Sequence, residues 1–160
     1  MEILQNLQLK GVYEFILRDA KTGEVKQVEK IENLVPTVGL NALAQQLSGD
    51  NTQEAEITYL ALGNNADTPV LADTALGSET VRKLITLRTT SSNIANFSIF
   101  FASGEANDTH KEVGVFGDGA ASTASAAADS GIIYSRALII PTIIKTSSDT
   151  LQINYSFTLS

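Results

Sequence analysis

The stretch Asp149-Thr-Leu-Gln-Ile-Asn-Tyr-Ser-Phe-Thr-Leu159 alternates without a break. Leu151, Ile153, Tyr155, Phe157 and Leu159 fall on one side of an extended chain, and Thr150, Gln152, Asn154, Ser156 and Thr158 on the other. Successive strand side chains point to opposite faces, so this is a strand with one apolar and one hydroxyl- and amide-rich face. A helical period would scatter the five apolar residues round the axis. A terminal strand with five core residues must be paired in a sheet or it would fray. The rest of the chain is expected to cover its apolar face.

Other strands follow the same logic. Residues 7 to 33 read as a β-hairpin, with Tyr13, Phe15 and Leu17 on one face and a turn at Asp19-Ala-Lys-Thr-Gly23. Its return strand, Glu24 to Glu32, is charged enough for an exposed edge. Ile57 to Leu62 is apolar on both faces, so it belongs inside a sheet. Thr80 to Thr89 reads as one strand, and Ile94 to Ala102 as its return. Lys111 to Phe116 and Ile132 to Ile140 complete the set, with Pro141 to Asp149 leading into the last strand.

Pro36 forces an extended residue before it, and Thr37 follows as an expected N-cap. Leu40, Leu43, Ala44 and Leu47 recur at helical spacing, which predicts one amphipathic helix over 38 to 48 with Gly49 as its terminator. Gly117 to Gly131 holds no large side chain and is read as a loop. Eight strands with Gly, Asn and Asp turns predict a single domain, 1 to 160, that is mainly β. The expected form is an antiparallel β-sandwich, jelly-roll-like, with the helix at an open end or a sheet edge.

Composition narrows the function. The chain has 160 residues, no cysteine and a net charge of −7. Disulfides, thiolate metal sites and cysteine nucleophiles are excluded. The acidic balance argues against a nucleic-acid partner. No apolar run reaches spanning length, and Met1 to Asn6 carries no basic, then apolar leader, so neither a membrane nor a secretory role is expected. The three Asn-x-Ser/Thr sequons, at Asn96, Asn107 and Asn154, are taken as chance.

Little catalytic chemistry stands out. Glu105, Asp108, His110 and Glu112 are the nearest approach to a cation-ligating set, but their spacing matches no known site and a solvated loop is the simpler reading. His110 is the single histidine, and no Gly-x-Ser-x-Gly elbow accompanies it. Gly63-Asn-Asn-Ala-Asp67 and Gly117-Asp-Gly119 fit no calcium loop and read as turns. A carboxylate pair among 18 acids stays open as an enzymatic class. No catalytic, cofactor-binding or metal residue is assigned.

Four segments in order carry a resemblance. They are Tyr59-Leu-Ala-Leu-Gly-Asn-Asn-Ala-Asp-Thr-Pro69, Asp73-Thr-Ala-Leu-Gly-Ser-Glu-Thr-Val-Arg82, Glu112-Val-Gly-Val-Phe-Gly-Asp-Gly119, and the run from Tyr134 to Ile140 with Lys145 and Leu151 to Leu159. Together they resemble the tail-collar fibre domain of bacteriophage structural proteins, over residues 38 to 159. Glu112 is expected to cap a loop or to pair with Arg82 or Lys145. Gly63 and Gly114 are expected at close backbone approaches or positive φ. The resemblance implies a non-enzymatic virion component, made in the host cytoplasm, whose partners are other phage structural proteins. Its place would be the tail, baseplate or collar, with capsid decoration as the alternative. It implies a homo-oligomer, a trimer by analogy. Such fibre proteins continue into a shaft that this sequence lacks, and the hairpin at 7 to 33 is additional, so a stand-alone component with an assembly arm is expected. A carbohydrate-binding module is a further alternative, against which stand the absence of tryptophan and the presence of only four tyrosines.

Overall fold

The structure is a computed structural model that describes residues 8–53, 55–118 and 128–160. Nine strands and one helix follow the chain: β1 (Leu9–Asp19), β2 (Val25–Glu32), α1 (Thr37–Ser48), β3 (Ile57–Gly63), β4 (Glu79–Leu84), β5 (Leu87–Ser91), β6 (Ile94–Phe101), β7 (Thr109–Gly117), β8 (Ile132–Ile144) and β9 (Asp149–Leu159). They form an antiparallel β-sandwich. The larger sheet has the order β2-β1-β9-β6-β5, the smaller β4-β3-β7-β8. The strands come as four hairpins, β1–β2, β3–β4, β5–β6 and β7–β8, each within one sheet, and the chain changes sheet between hairpins and again before β9, rather than at every strand as in a jelly roll.

β9 is the central strand of the larger sheet. It pairs with β1 from Asp149 to Leu159 and with β6 from Leu151 to Thr158. The predicted alternation holds for four of its five apolar residues: Leu151, Ile153, Tyr155 and Phe157 are buried between the sheets, whereas Leu159, at the end of the strand, is exposed. Tyr13, Phe15 and Leu17 of β1 join them, with Ile99 and Phe101 of β6 and Val113 and Val115 of β7. The hairpin read at 7 to 33 therefore belongs to the sandwich itself, and its inner strand is a core strand. Tyr13 and Tyr155 stack at 4.3 Å between ring centroids. Their hydroxyls lie deep in the core, where they need partners. Tyr13 donates to Ser135 Oγ at 2.8 Å, and Asn33 Nδ2 donates to Ser135 Oγ at 2.6 Å and to the Tyr155 hydroxyl at 3.2 Å.

Four expectations are corrected. The segment from Thr80 to Thr89 is two strands, β4 and β5, in different sheets. Ile85 turns the corner: it is buried, and its N–H donates to Thr58 O at 2.9 Å. A strand that changes sheet keeps its apolar alternation, so the corner leaves no glycine or proline to mark it. β8 runs past Pro141 to Ile144, because an edge strand can do without the missing N–H. The N-cap is Pro36, with extended φ/ψ and no side-chain cap, and Thr37, the expected cap, is instead the first helical residue. It also buries a different face. Gly39 and Ala42 are buried and Leu43 partly so, whereas Leu47 is 87% exposed. Small residues let the helix sit directly on β8: a Cβ at Gly39 would lie 2.9 Å from Ile133 O. Gly49 closes the helix as expected, at φ 77°. Its N–H donates to Gln46 O and that of Asp50 to Gln45 O, the Schellman pattern. Residues 119 to 127 of the predicted small-residue loop lie outside the described residues.

Candidate interaction face

The motif segments fold against one another. Glu112, on the outer side of β7, is fully buried. Its carboxylate accepts from Gly77 N at 2.9 Å, from Ser78 N at 2.7 Å and from Asn65 N at 3.4 Å. Arg136 of β8 adds Nη2 at 2.8 Å and Nε at 3.1 Å. Arg136 Nη1 then reaches Asp73 at 2.7 Å. Burial works against the guanidinium charge, but Asp73 and Glu112 outweigh it and raise its pKa. Glu112 thus caps a loop, as expected, yet its cation is Arg136 and neither Arg82 nor Lys145. Gly63 is required here: a Cβ would lie 2.5 Å from Glu112 Oε1 and 2.5 Å from Ser78 O. Gly114 is likewise a close approach, since a Cβ there would lie 2.9 Å from Ser135 O. Around this node the connection 64 to 78 lies over the smaller sheet. Leu76 packs with Ala61, Phe116 and Ile133 in a separate apolar cluster. Both faces of the smaller sheet are therefore covered.

The other singled-out residues go elsewhere. Arg82 pairs with Glu79 at 2.5 Å, both buried, and donates to Ser130 O at 3.1 Å. Lys145 Nζ donates to Ala102 O and Asn107 Oδ1, each at 2.8 Å, pinning the turn after β6. Glu105 meets Lys83 at 2.5 Å. Asp108 accepts from Thr109 N at 2.7 Å. His110 is fully buried, with Nε2 2.8 Å from Ala106 O and no partner at Nδ1; burial holds its pKa below the ordinary 6.5. Glu105, Asp108, His110 and Glu112 thus bond to different partners, and among the described residues no group of three potential ligands converges. Asn65 Oδ1 accepts from Asp67 N, so the 63–67 turn is an ordinary Asx turn.

The larger sheet is different, because among the described residues no segment lies over one of its faces. The registers place its outward side chains in crosswise rows. One row reads Lys30, Glu14, Asn154, Ser98 and Leu87 across all five strands. The next toward the chain ends reads Glu32, Val12, Ser156, Asn96 and Thr89. On the other side lie Val28, Ile16, Gln152 and Phe100. The polar members bind one another. Ser98 Oγ donates to Asn154 Oδ1 at 2.8 Å, Gln152 Nε2 to Ser98 Oγ at 2.5 Å, and Ser156 Oγ to Asn96 Oδ1 at 3.1 Å. Asn154 Nδ2 donates to Glu14 Oε2 at 3.0 Å. That bond, then the Lys30 ammonium at 3.2 Å, holds the Glu14 carboxyl below its usual pKa. A shallow depression of about 240 Å³ lies between Leu87, Thr89, Asn96, Ser98, Asn154 and Ser156. Phe100 and Leu87 stand 49% and 57% exposed beside it.

The hydroxyl-rich side of β9 is legible in its alternation, but the five-strand face it joins is not, since rows across strands exist only once register is set. No helix among the described residues is long and apolar enough to cross a membrane. Comparison of the chain with protein-family models, with curated proteins and with solved structures finds no match.

Proposed function

We propose that the chain is a non-enzymatic structural protein of a bacteriophage particle, serving as an attachment component of the tail, baseplate or collar. The observation that supports this most is the convergence at Glu112. Segments from 59–69, 73–82 and 112–119 meet there, with Arg136 of the fourth. Short motifs that match by chance have no reason to form one hydrogen-bonded unit. The same residues serve the fold: the acids singled out in the sequence hold loops and cations rather than facing a common cleft. The open five-strand face supplies a surface for neighbouring proteins. It equally suits flat packing on a shell, which is why capsid decoration is kept as a second reading. A sugar-binding role has weaker support, because this face offers one exposed aromatic ring, Phe100.

Gold-labelled antibody on particles purified from the source culture tests the proposal. Label at the tail or collar is expected. Label over the head would move the assignment to decoration. Unlabelled particles, with the protein confined to the lysate, would overturn the virion role.

A further inference from the structure

We infer that the open face of the larger sheet packs against the same face of a second copy of this chain, about a two-fold axis near β9. Three observations on the face support this occupant.

The first is charge. The chain carries −7 overall. The outward rows of the larger sheet nevertheless hold three cations, Lys10, Arg18 and Lys30, against two carboxylates, Glu14 and Glu32. Lys10 meets Glu32 at 2.6 Å and Lys30 meets Glu14 at 3.2 Å. Two acidic molecules repel through most of their surfaces, but not through this one.

The second is hydrogen bonding. The amide and hydroxyl groups of Gln152, Asn154, Ser98, Ser156 and Asn96 are already bonded to each other. Each bond made within the face leaves fewer polar groups unpaired when the face loses water. A sugar site would instead leave its donors and acceptors turned outward for the ligand.

The third is shape and area. Val28, Ile16 and Phe100 form an apolar row across four strands, broken only by Gln152, and Leu87 lies diagonally next to Phe100. The apolar row lies directly beside the mutually bonded Asn154 and Ser98, with Lys10 and Glu32 toward the rim. Five strands of this length span a footprint of about 24 by 27 Å, roughly 600 Å² before side-chain relief. A stable complex takes about 800 Å² from each partner, which is the same order. Facing sheets pack at a shallow angle, so the two apolar rows would cross near the axis. The contact is isologous and closes on itself as a dimer.

This inference rests on the reading of the chain as an assembling component, and its test uses the purified protein alone, so the two can fail separately. Sedimentation equilibrium should give twice the 17.0 kDa chain mass. Phe100→Glu and Leu87→Glu, both at exposed positions, should keep the wild-type circular dichroism and weaken association by about thirtyfold or more. The chain has no cysteine, so Ser156→Cys, on the central strand, should give a disulfide-linked dimer on mild oxidation, while Leu47→Cys on the exposed side of α1 should not. A monomer at high concentration would overturn the inference. So would a trimer, a dimer indifferent to both glutamates, or a dimer that Ser156→Cys does not link.

Discussion

Glu112 and His110 sit two residues apart on one strand, both fully buried, and do opposite things with their surroundings. Glu112 is surrounded by donors from a loop and a guanidinium. In Glu112→Gln one acceptor oxygen becomes an NH₂ facing those donors, and Arg136 loses its buried counter-charge. We expect a loss of about 3–5 kcal/mol in urea unfolding; a loss under about 1 kcal/mol would mean that solvent reaches the node. His110 is starved of partners, and burial depresses its pKa. As pH falls below about 6.5 the unfolded chain takes up the proton before the folded one does. Stability is therefore full above that pH and declines as it drops toward the folded pKa. The urea midpoint should fall as pH drops below about 6.5, and His110→Gln, which retains a donor for Ala106 O, should flatten that fall. An unchanged slope would show that another group causes it. Burial at these positions was only half legible. The strand over Lys111 to Phe116 was legible, but the partner of Glu112 lies across a strand pair 24 residues away, and nothing local encodes that register.

At the scale of elements, α1 and the β4–β5 corner show where pattern reading stops. The leucine spacing gave a helix of the right length but the wrong face. A helix on a strand edge needs small residues at the contact, and Gly39 and Ala42 supply them. Replacing a helical glycine by alanine ordinarily adds about 1 kcal/mol of stability. At Gly39 the new methyl would meet Ile133 O at 2.9 Å and Tyr134 Cα at 3.0 Å, both backbone atoms that cannot swing away. Gly39→Ala should thus lower the thermal midpoint rather than raise it; a rise would mean that the helix can lift from β8. The corner at Ile85 was hidden for another reason. Its side chain continues the apolar alternation into the core, so β4 and β5 look like one strand until pairing partners are known. Ile85→Ala should cost about 2–4 kcal/mol in urea unfolding, since it empties the site that both sheets share. A loss below about 1 kcal/mol would show that the corner can collapse around the smaller side chain.

The whole molecule is asymmetric. The smaller sheet is covered on both sides, whereas the larger is covered on one, and its edge strand β5 is exposed at every residue. Amide exchange should reflect this, with β5 exchanging well before β3 and β7. Acid should also act in a second, lower window. Lys26 at 2.5 Å and Thr146 pull the Asp149 carboxyl down to about 2. Its contribution is complete above the ordinary 3.8 and disappears as pH falls from there toward about 2. Lys26→Ala should shrink the loss of stability over that interval; an equal loss in the variant would place the effect on other carboxylates. The two-layer architecture was legible from strand count and turn chemistry alone. The asymmetry was not, because a connection such as 64 to 78 reads as a loop whether it hangs free or lies across a sheet.

The position of β9 has a consequence for how copies are made. The strand that joins β1 to β6 is translated after both of them. A product cut short before Asp149 would have every other strand, yet would leave β1 and β6 with unsatisfied facing edges and Tyr13, Phe15, Phe97 and Ile99 without their central lid. Such a fragment could neither close its sheet nor hide its greasy side, and would be cleared or aggregate. Late arrival of the keystone thereby acts as proofreading: a chain that stops short of β9 never acquires the surface of one that includes it.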